Sequence, residues 1–263
     1  TRLMNDFIPR LGVNIDHIAT LRQLRGTPYP QLVQTARKVV ESGADQITIH
    51  LREDRRHIQD QDVRDIREKV DVPLNLEMAL DERVLKFALK VRPDWACLVP
   101  EKRRELTTEG GLNLSARKKV LRETISKLQK KKIQVSLFVE PTREAVKASA
   151  DLGVEAVEFH TGKYCLITQK SVKSGQKAAQ KKSAARELER LRKASEFAKK
   201  CGVHVHAGHG LDYQNVRPVV FLHGDDQQAL IEEFNIGHSI ICRSTEVGIS
   251  QAVREMVAAV KAP

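Results

Sequence analysis

The chain is short of aromatic and of sulfur-bearing side chains. Phe, Trp and Tyr together make up 4% of its 263 residues, so single-stranded nucleic acid would find little ring surface to stack on. Its four cysteines, Cys97, Cys165, Cys201 and Cys242, form no C-x-x-C pair. That spacing argues against a structural zinc site and fits a reducing compartment. No apolar run approaches the ~18 residues needed to cross a membrane, and the opening TRLMNDFIPR has no signal-peptide core. A soluble, cytoplasmic protein without a membrane partner is expected.

Acidic residues are the minority charge: 34 Asp and Glu stand against 45 Lys and Arg, for a net charge of +11. Such an excess suits either a nucleic acid or an anionic small molecule. Much of it is local, because KYCLITQKSVKSGQKAAQKKS holds Lys163, Lys170, Lys173, Lys177, Lys181 and Lys182 and no acid. We read that stretch, about residues 163–183, as a solvated loop inserted after the sixth strand. The chain is long enough to bury roughly three quarters of its unfolded surface without disulfides or metal. No internal boundary is evident, so residues 1–263 are read as one domain with an N-terminal extension over 1–10.

Short apolar or β-branched runs alternate with longer stretches of helical periodicity. The strands fall near 12–18, 46–51, 73–78, 95–100, 134–139, 156–160, 203–207 and 234–241. Helices are expected near 31–42, 60–70, 81–91, 115–132, 142–152, 184–201, 213–221 and 245–261. Gly43 and Gly153 stand where a left-handed cap would end a helix before the next strand. Eight strand–helix units in one chain of this length predict an α/β fold, a closed (β/α)₈ TIM barrel with a parallel sheet. An open doubly wound sheet fits less well, because VNIDHIATLRQLRG lacks the glycine-rich first turn of that fold.

Buried parallel strands are normally apolar throughout. Here polar residues recur with period two: Asn14 and Asp16, Thr48 and His50 with Arg52 beyond, Asn75 and Glu77, Glu158 and His160, His204 and His206, Asn235 and Gly237. Alternate side chains point to opposite faces, so each set shares one face and the apolar set takes the other. Packing the apolar face on the helices turns the polar set into the barrel. Burying Asp16, His50, Glu77 and Glu158 together costs several kcal/mol unless they are paired or line a cavity. An anionic-ligand pocket at the carboxyl ends of the strands is the economical explanation. The glycines of AGHGL and NIGHSII suit phosphate contact after strands seven and eight, and VPEKRRELTTEGGL, residues 99–112, has the length and Gly-Gly hinge of a lid, though its spacing fits a plain flexible loop equally well.

The motif series GVNIDHIATLR, HLREDRRHI, NLEMA, VPEKRRELTTEGGL, HTGKY, AGHGL and NIGHSII resembles the pyridoxine 5′-phosphate synthase family, in order, over about residues 11–257. The resemblance implies a (β/α)₈ barrel, typically a homo-octamer, that needs no metal or organic cofactor. It implies condensation of 3-amino-2-oxopropyl phosphate with 1-deoxy-D-xylulose 5-phosphate. Carried over by motif, His50, Glu77 and His209 are acid/base residues, and Glu158 supports the transition state. Asp16, His17, Arg52, His57 and Thr107 match positions that hold the xylulose phosphate; Asn14, Arg25, Gly210, Gly237 and His238 match those that contact the amino-ketone phosphate. The chain departs from the family at His206, where asparagine is usual, at Cys242, where glycine is usual, and in the stretch 168–183. Two rival readings remain. HVHAGHG offers His204, His206 and His209, with Asp16 and Glu158, as ligands of a metal-dependent barrel hydrolase. The lysine stretch offers a nucleic-acid-binding protein.

Overall fold

Eight short parallel strands close on themselves in sequence order. The structure, a computed structural model, describes residues 8–101, 105, 110–170 and 173–261. The strands are β1 (Arg10–Asn14), β2 (Gln46–His50), β3 (Leu74–Met78), β4 (Trp95–Leu98), β5 (Gln134–Val139), β6 (Ala156–His160), β7 (His204–Gly208) and β8 (Glu233–Ile236). The β1–β8 pairing, with Gly12 opposite Asn235, completes the predicted (β/α)₈ barrel. The helices are α1 (Asp16–Arg25), α2 (Leu32–Glu41), α3 (Asp60–Lys69), α4 (Glu82–Val91), α5 (Lys118–Lys130), α6 (Arg143–Leu152), α7 (Gly162–Gln169), α8 (Lys177–Lys200), α9 (Val216–Val220), α10 (His238–Val247) and α11 (Ile249–Lys261). No helix among the described residues is long and apolar enough to cross a membrane.

The outward residues of the strands are the apolar set: Leu11, Val13, Ile47, Ile49, Leu74, Leu76, Val135, Leu137, Val157, Phe159 and Phe234 are all buried against the helices. Removing a branched or aromatic side chain of this kind from water contributes about 1.5–3 kcal/mol each. The amino ends of three odd strands are fastened alike. Asp45 accepts a hydrogen bond from the Leu11 amide at 2.7 Å, Asp94 from Leu74 at 2.8 Å and Glu155 from Val135 at 2.8 Å. Each of those carboxylates, just ahead of the next strand, also binds a helix side chain: Lys261 of α11, Arg67 of α3 and Gln129 of α5. The bottom of the barrel is thereby tied to its outer ring.

Three expectations need correction, each for a local reason. The first strand ends at Asn14, and residues 16–25, read as strand and loop, form α1. The eighth ends at Ile236, so that His238 opens α10 instead of lying in a strand. Most of the lysine-rich stretch is helical and not a loop: residues 162–169 form α7 and α8 begins at Lys177. The first turns of α8 are largely exposed, and its buried residues begin at Glu187, so its early half carries no apolar stripe to read. Gly43 and Gly153 do have positive φ after α2 and α6, as the sequence suggests.

Candidate active site

The inward positions hold a polar column with few apolar members. At its base Arg10 meets Glu233 at 3.1 Å, and Glu233 also accepts a hydrogen bond from Gln46 at 2.8 Å and faces His206 Nδ1 at 3.4 Å. One level up, the Asn235 amide donates to Glu158 at 2.8 Å and to Glu233 at 3.2 Å, while its oxygen accepts from Thr48 at 2.8 Å. Every charge buried here has a partner, which is the condition for a polar interior to be tolerated. Room for Glu158 comes from Gly208 on the neighbouring strand, where a Cβ would overlap Glu158 Oε1. Gly237 plays the same part beside Asn14, with an added Cβ only 2.8 Å from the Asn14 Cβ.

Above this column, at the carboxyl ends of the strands, a cavity of about 800 Å³ opens. Its walls include Asn14, Asp16, His17, His50, Glu77, Glu158, His209, Gly210, Gly237 and His238, ten of the residues singled out from sequence. Asp16, although on α1 and not on β1, reaches the same place because it stands in the first helical turn. It accepts the His50 amide proton at 2.9 Å and an Asn14 side-chain proton at 2.9 Å. His50 Nδ1 lies 3.9 Å from Glu77, and its Nε2 is 2.9 Å from Glu101. His209 sits in the left-handed region, φ 74°, a conformation a side chain beyond glycine adopts at some expense of energy. Its ring packs on His160 with centroids 4.8 Å apart, and His160 is held in turn by Glu140 at 3.1 Å.

Burial and like charges move these groups in opposite senses. Burial pushes Glu158 up to about 8, with the Glu233 charge adding to it. Glu77 lies well above the usual carboxylate range through burial and the nearby Glu158 and Asp16 charges. Burial lifts Asp16 to about 6 against the opposing pull of His50. The imidazoles go the other way. Burial lowers His209, with His160 contributing, and lowers His17, with His238 contributing. His57 is brought to about 4 by burial and by His50. Near pH 7 the cavity thus holds protonated Glu77 and Glu158 beside neutral His17 and His209, with Asp16 largely ionised, a set able to give and to take protons.

Other sequence-derived residues fall elsewhere. Arg52 is half-buried beside the cavity, 3.7 Å from Glu101, and the His57 ring stands edge-on to His50 at 6.2 Å. Arg25 is exposed at the end of α1, away from the cavity of its own chain. Thr107 lies outside the described residues, as does half of the expected lid, though Val99, Pro100 and Gly110 toward its two ends line the cavity. Sequence reading missed Glu101, Glu140 and Glu233 altogether. Glu101 and Glu140 follow their strands, where period-two counting has stopped, and Glu233 precedes the expected start of β8.

The histidines proposed as metal ligands do not converge. His204 is an exposed residue at the amino end of β7, paired with Glu232 at 2.7 Å, and His206 is buried low in the barrel beside Glu233. Only His209 reaches the cavity. Among the described residues, the group whose donor atoms come close enough to share an ion is Asp16, His50 and Glu77, within 4.8 Å of one another. Those three are already tied to each other and to Asn14 and Glu101 by hydrogen bonds and ion pairs.

Comparison with known proteins identifies the family of the chain. The sequence pattern of the family described as Pyridoxal phosphate biosynthesis protein PdxJ matches residues 11–262. A pyridoxine 5′-phosphate synthase of Syntrophotalea carbinolica is 51% identical over 94% of this chain and 96% of its own length. Those of Bdellovibrio bacteriovorus and Aquifex pyrophilus are 48% and 46% identical, each over 94% of this chain and over 96% and 100% of their own lengths. Among solved structures, KGPDC from Streptococcus mutans superposes with a TM-score of 0.61 at 16% identity, over 96% of this chain and 97% of that one. Tryptophan synthase from M. tuberculosis gives 0.60 at 12% identity, over 98% and 94%. At such identities the likeness is one of fold alone.

Proposed function

Since the chain belongs to the family of the pyridoxal phosphate biosynthesis protein PdxJ, we propose that the acids and bases around its cavity divide the steps of pyridoxine 5′-phosphate synthesis among them. The chain is an enzyme, and its reaction is that of a pyridoxine 5′-phosphate synthase. In that reaction 3-amino-2-oxopropyl phosphate and 1-deoxy-D-xylulose 5-phosphate combine with release of inorganic phosphate and water. The single observation that carries the assignment of roles is the gathering of Asp16, His50, Glu77, Glu158 and His209 around one cavity.

The amine of one substrate attacks the ketone of the other, and the carbinolamine oxygen must leave as water. Glu77, kept protonated by burial, is suited to supply that proton. His209, kept neutral, is suited to remove a carbon-bound or nitrogen-bound proton as phosphate departs. His50 exchanges a proton through Nδ1, the ring nitrogen that faces Glu77 and the cavity. Glu158, neutral and hydrogen-bonded by Asn235, offers a hydrogen bond to oxygen charge that builds up during aldol-type closure and aromatisation. No step calls for a metal or an organic cofactor; each is a nucleophilic addition, an elimination or a proton transfer.

Phosphate is placed by the helix starts. α10 opens at His238 directly after Gly237, and Gly237, His238 and Ser239 line the cavity, so amide hydrogens of a helix N-terminus face any anion there. Asp16 and His17 open α1 on the adjoining wall, with Arg52 and His57 beside them for the xylulose phosphate. Cytoplasmic location and assembly as a homo-octamer are part of the same reading. Leu21 and Leu24 on α1 expose 50% and 71% of their surface, as an interface would require. Arg25, at the end of that helix, would then act on a neighbouring copy's phosphate.

The test is direct. Purified protein mixed with both substrates is expected to release inorganic phosphate and pyridoxine 5′-phosphate in equal amounts. Folded protein that yields neither would overturn the reading.

A further inference from the structure

His50 is gripped at both ring nitrogens, and the stronger contact is to a residue that no motif singles out. Glu101, just beyond β4, has a side chain only 4% exposed, with Oε1 2.9 Å from His50 Nε2. Its other oxygen accepts the Glu53 amide proton at 3.1 Å and lies 3.7 Å from the Arg52 guanidinium. Both oxygens are therefore fixed, one by the loop after β2 and one by the ring itself. At the opposite edge Nδ1 faces Glu77 across 3.9 Å, and the His50 backbone is anchored by the hydrogen bond its N–H donates to Asp16.

We propose that Glu101 is a positioning residue for His50. It takes the hydrogen on Nε2, fixes that tautomer, and leaves the Nδ1 lone pair aimed at Glu77 and the cavity. The proposal rests on the reading above, in which His50 is an acid/base residue.

An ionised carboxylate only accepts hydrogen bonds, so the ring nitrogen against it must carry the hydrogen. Burial acts to raise Glu101, but the hydrogen bonds from His50 and Glu53 and the Arg52 charge outweigh it and hold the carboxyl below its usual range. The neutral ring then has its lone pair on Nδ1, opposite a Glu77 that keeps its proton. One proton can pass between Glu77 and Nδ1 once the 3.9 Å between them tightens to hydrogen-bond distance with substrate bound, and the imidazolium formed is steadied by Glu101 behind it. This is the division of labour in which a carboxylate orients a histidine without itself changing protonation. The charged and titratable groups facing His50 are Glu101, Arg52 and His57 from the loops after β4 and β2, Glu77 from β3 and Asp16 from α1.

The experiment compares the full-length enzyme with Glu101→Gln and Glu101→Asp, and records ¹⁵N NMR of the histidine rings in the wild type. We expect His50 to show hydrogen on Nε2. In Glu101→Gln, kcat should fall by as much as about 10⁴-fold, the loss that follows when a histidine-orienting carboxylate becomes its amide, with KM for both phosphates little changed. The limb of the pH profile that belongs to His50 should move to lower pH, because a charge favouring the imidazolium is gone. Glu101→Asp should recover part of the rate. A wild-type ring with hydrogen on Nδ1 would overturn the proposal. So would a folded Glu101→Gln enzyme with unchanged kcat and pH profile. If the wild type made no product at all, the functional reading would fail, and the ring spectrum would still decide the Glu101 contact by itself.

Discussion

Replacing Glu158 by glutamine tests the electrostatics of the barrel interior without disturbing its shape. The carboxyl is 2% exposed, and burial together with Glu233 moves it from the ordinary 4.5 to about 8. In the unfolded chain the same group ionises near its ordinary value. Between those two pH values the folded protein therefore holds a proton that the unfolded chain has lost, and stability falls as pH rises. The contribution is complete below the unfolded value and gone once pH passes through the folded one. At 1.36 kcal/mol for each pKa unit, the span amounts to about 5 kcal/mol. Glutamine keeps the oxygen that accepts from Asn235 and cannot ionise, so this slope disappears in the variant. Asp16 adds a slope of the same sign to both proteins and cancels in the difference, and so does the part of the Glu77 slope that comes from burial; the part due to the Glu158 charge is lost with it. Urea unfolding of wild type and Glu158→Gln at pH 5, 6.5 and 8, at one protein concentration, reads that difference. The variant should gain on the wild type by about 4 kcal/mol from pH 5 to pH 8. A difference that stays constant over that range would refute the idea that Glu158 is buried and protonated.

Two further substitutions probe geometry. Gly208→Ala places a methyl on Glu158 Oε1 and 3.1 Å from the Asn235 carbonyl oxygen, so it should lower stability by about 1–3 kcal/mol and depress kcat by displacing Glu158; unfolding curves and turnover check it, and a neutral result would mean the two strands have slack. His204→Ala removes an exposed side chain at the far end of the barrel, and turnover should be unchanged with stability altered by no more than about 0.5 kcal/mol; a large loss of activity would revive the idea that the HVHAGHG histidines act together.

Most of the barrel can be read from the sequence because two periodicities coincide with two environments. Outward strand positions meet helices and are apolar, and inward positions meet a polar column, so alternation identifies both faces. The reading fails where that contrast disappears. α1 follows β-branched Ile15, has Ile18 in its first turn and exposes Leu21 and Leu24, so its sequence shows no clean apolar stripe. α7, GKYCLITQ, is apolar on most sides and shows no helical period. Glu101 and Glu140 escape notice because they lie past the strand ends, where only three-dimensional proximity to His50 and His160 gives them meaning. Arg25 was legible as a motif residue, yet its place at the outer end of α1 follows from the helix alone.

The central claim is that Glu77 and His209, brought from β3 and the end of β7 to one cavity, transfer protons in the same reaction. The most direct measurement is the rate of pyridoxine 5′-phosphate formation by Glu77→Gln and His209→Ala, each checked for native circular dichroism. A loss of at least about 100-fold in kcat for both is the predicted result. Near-normal turnover by either folded variant would contradict it.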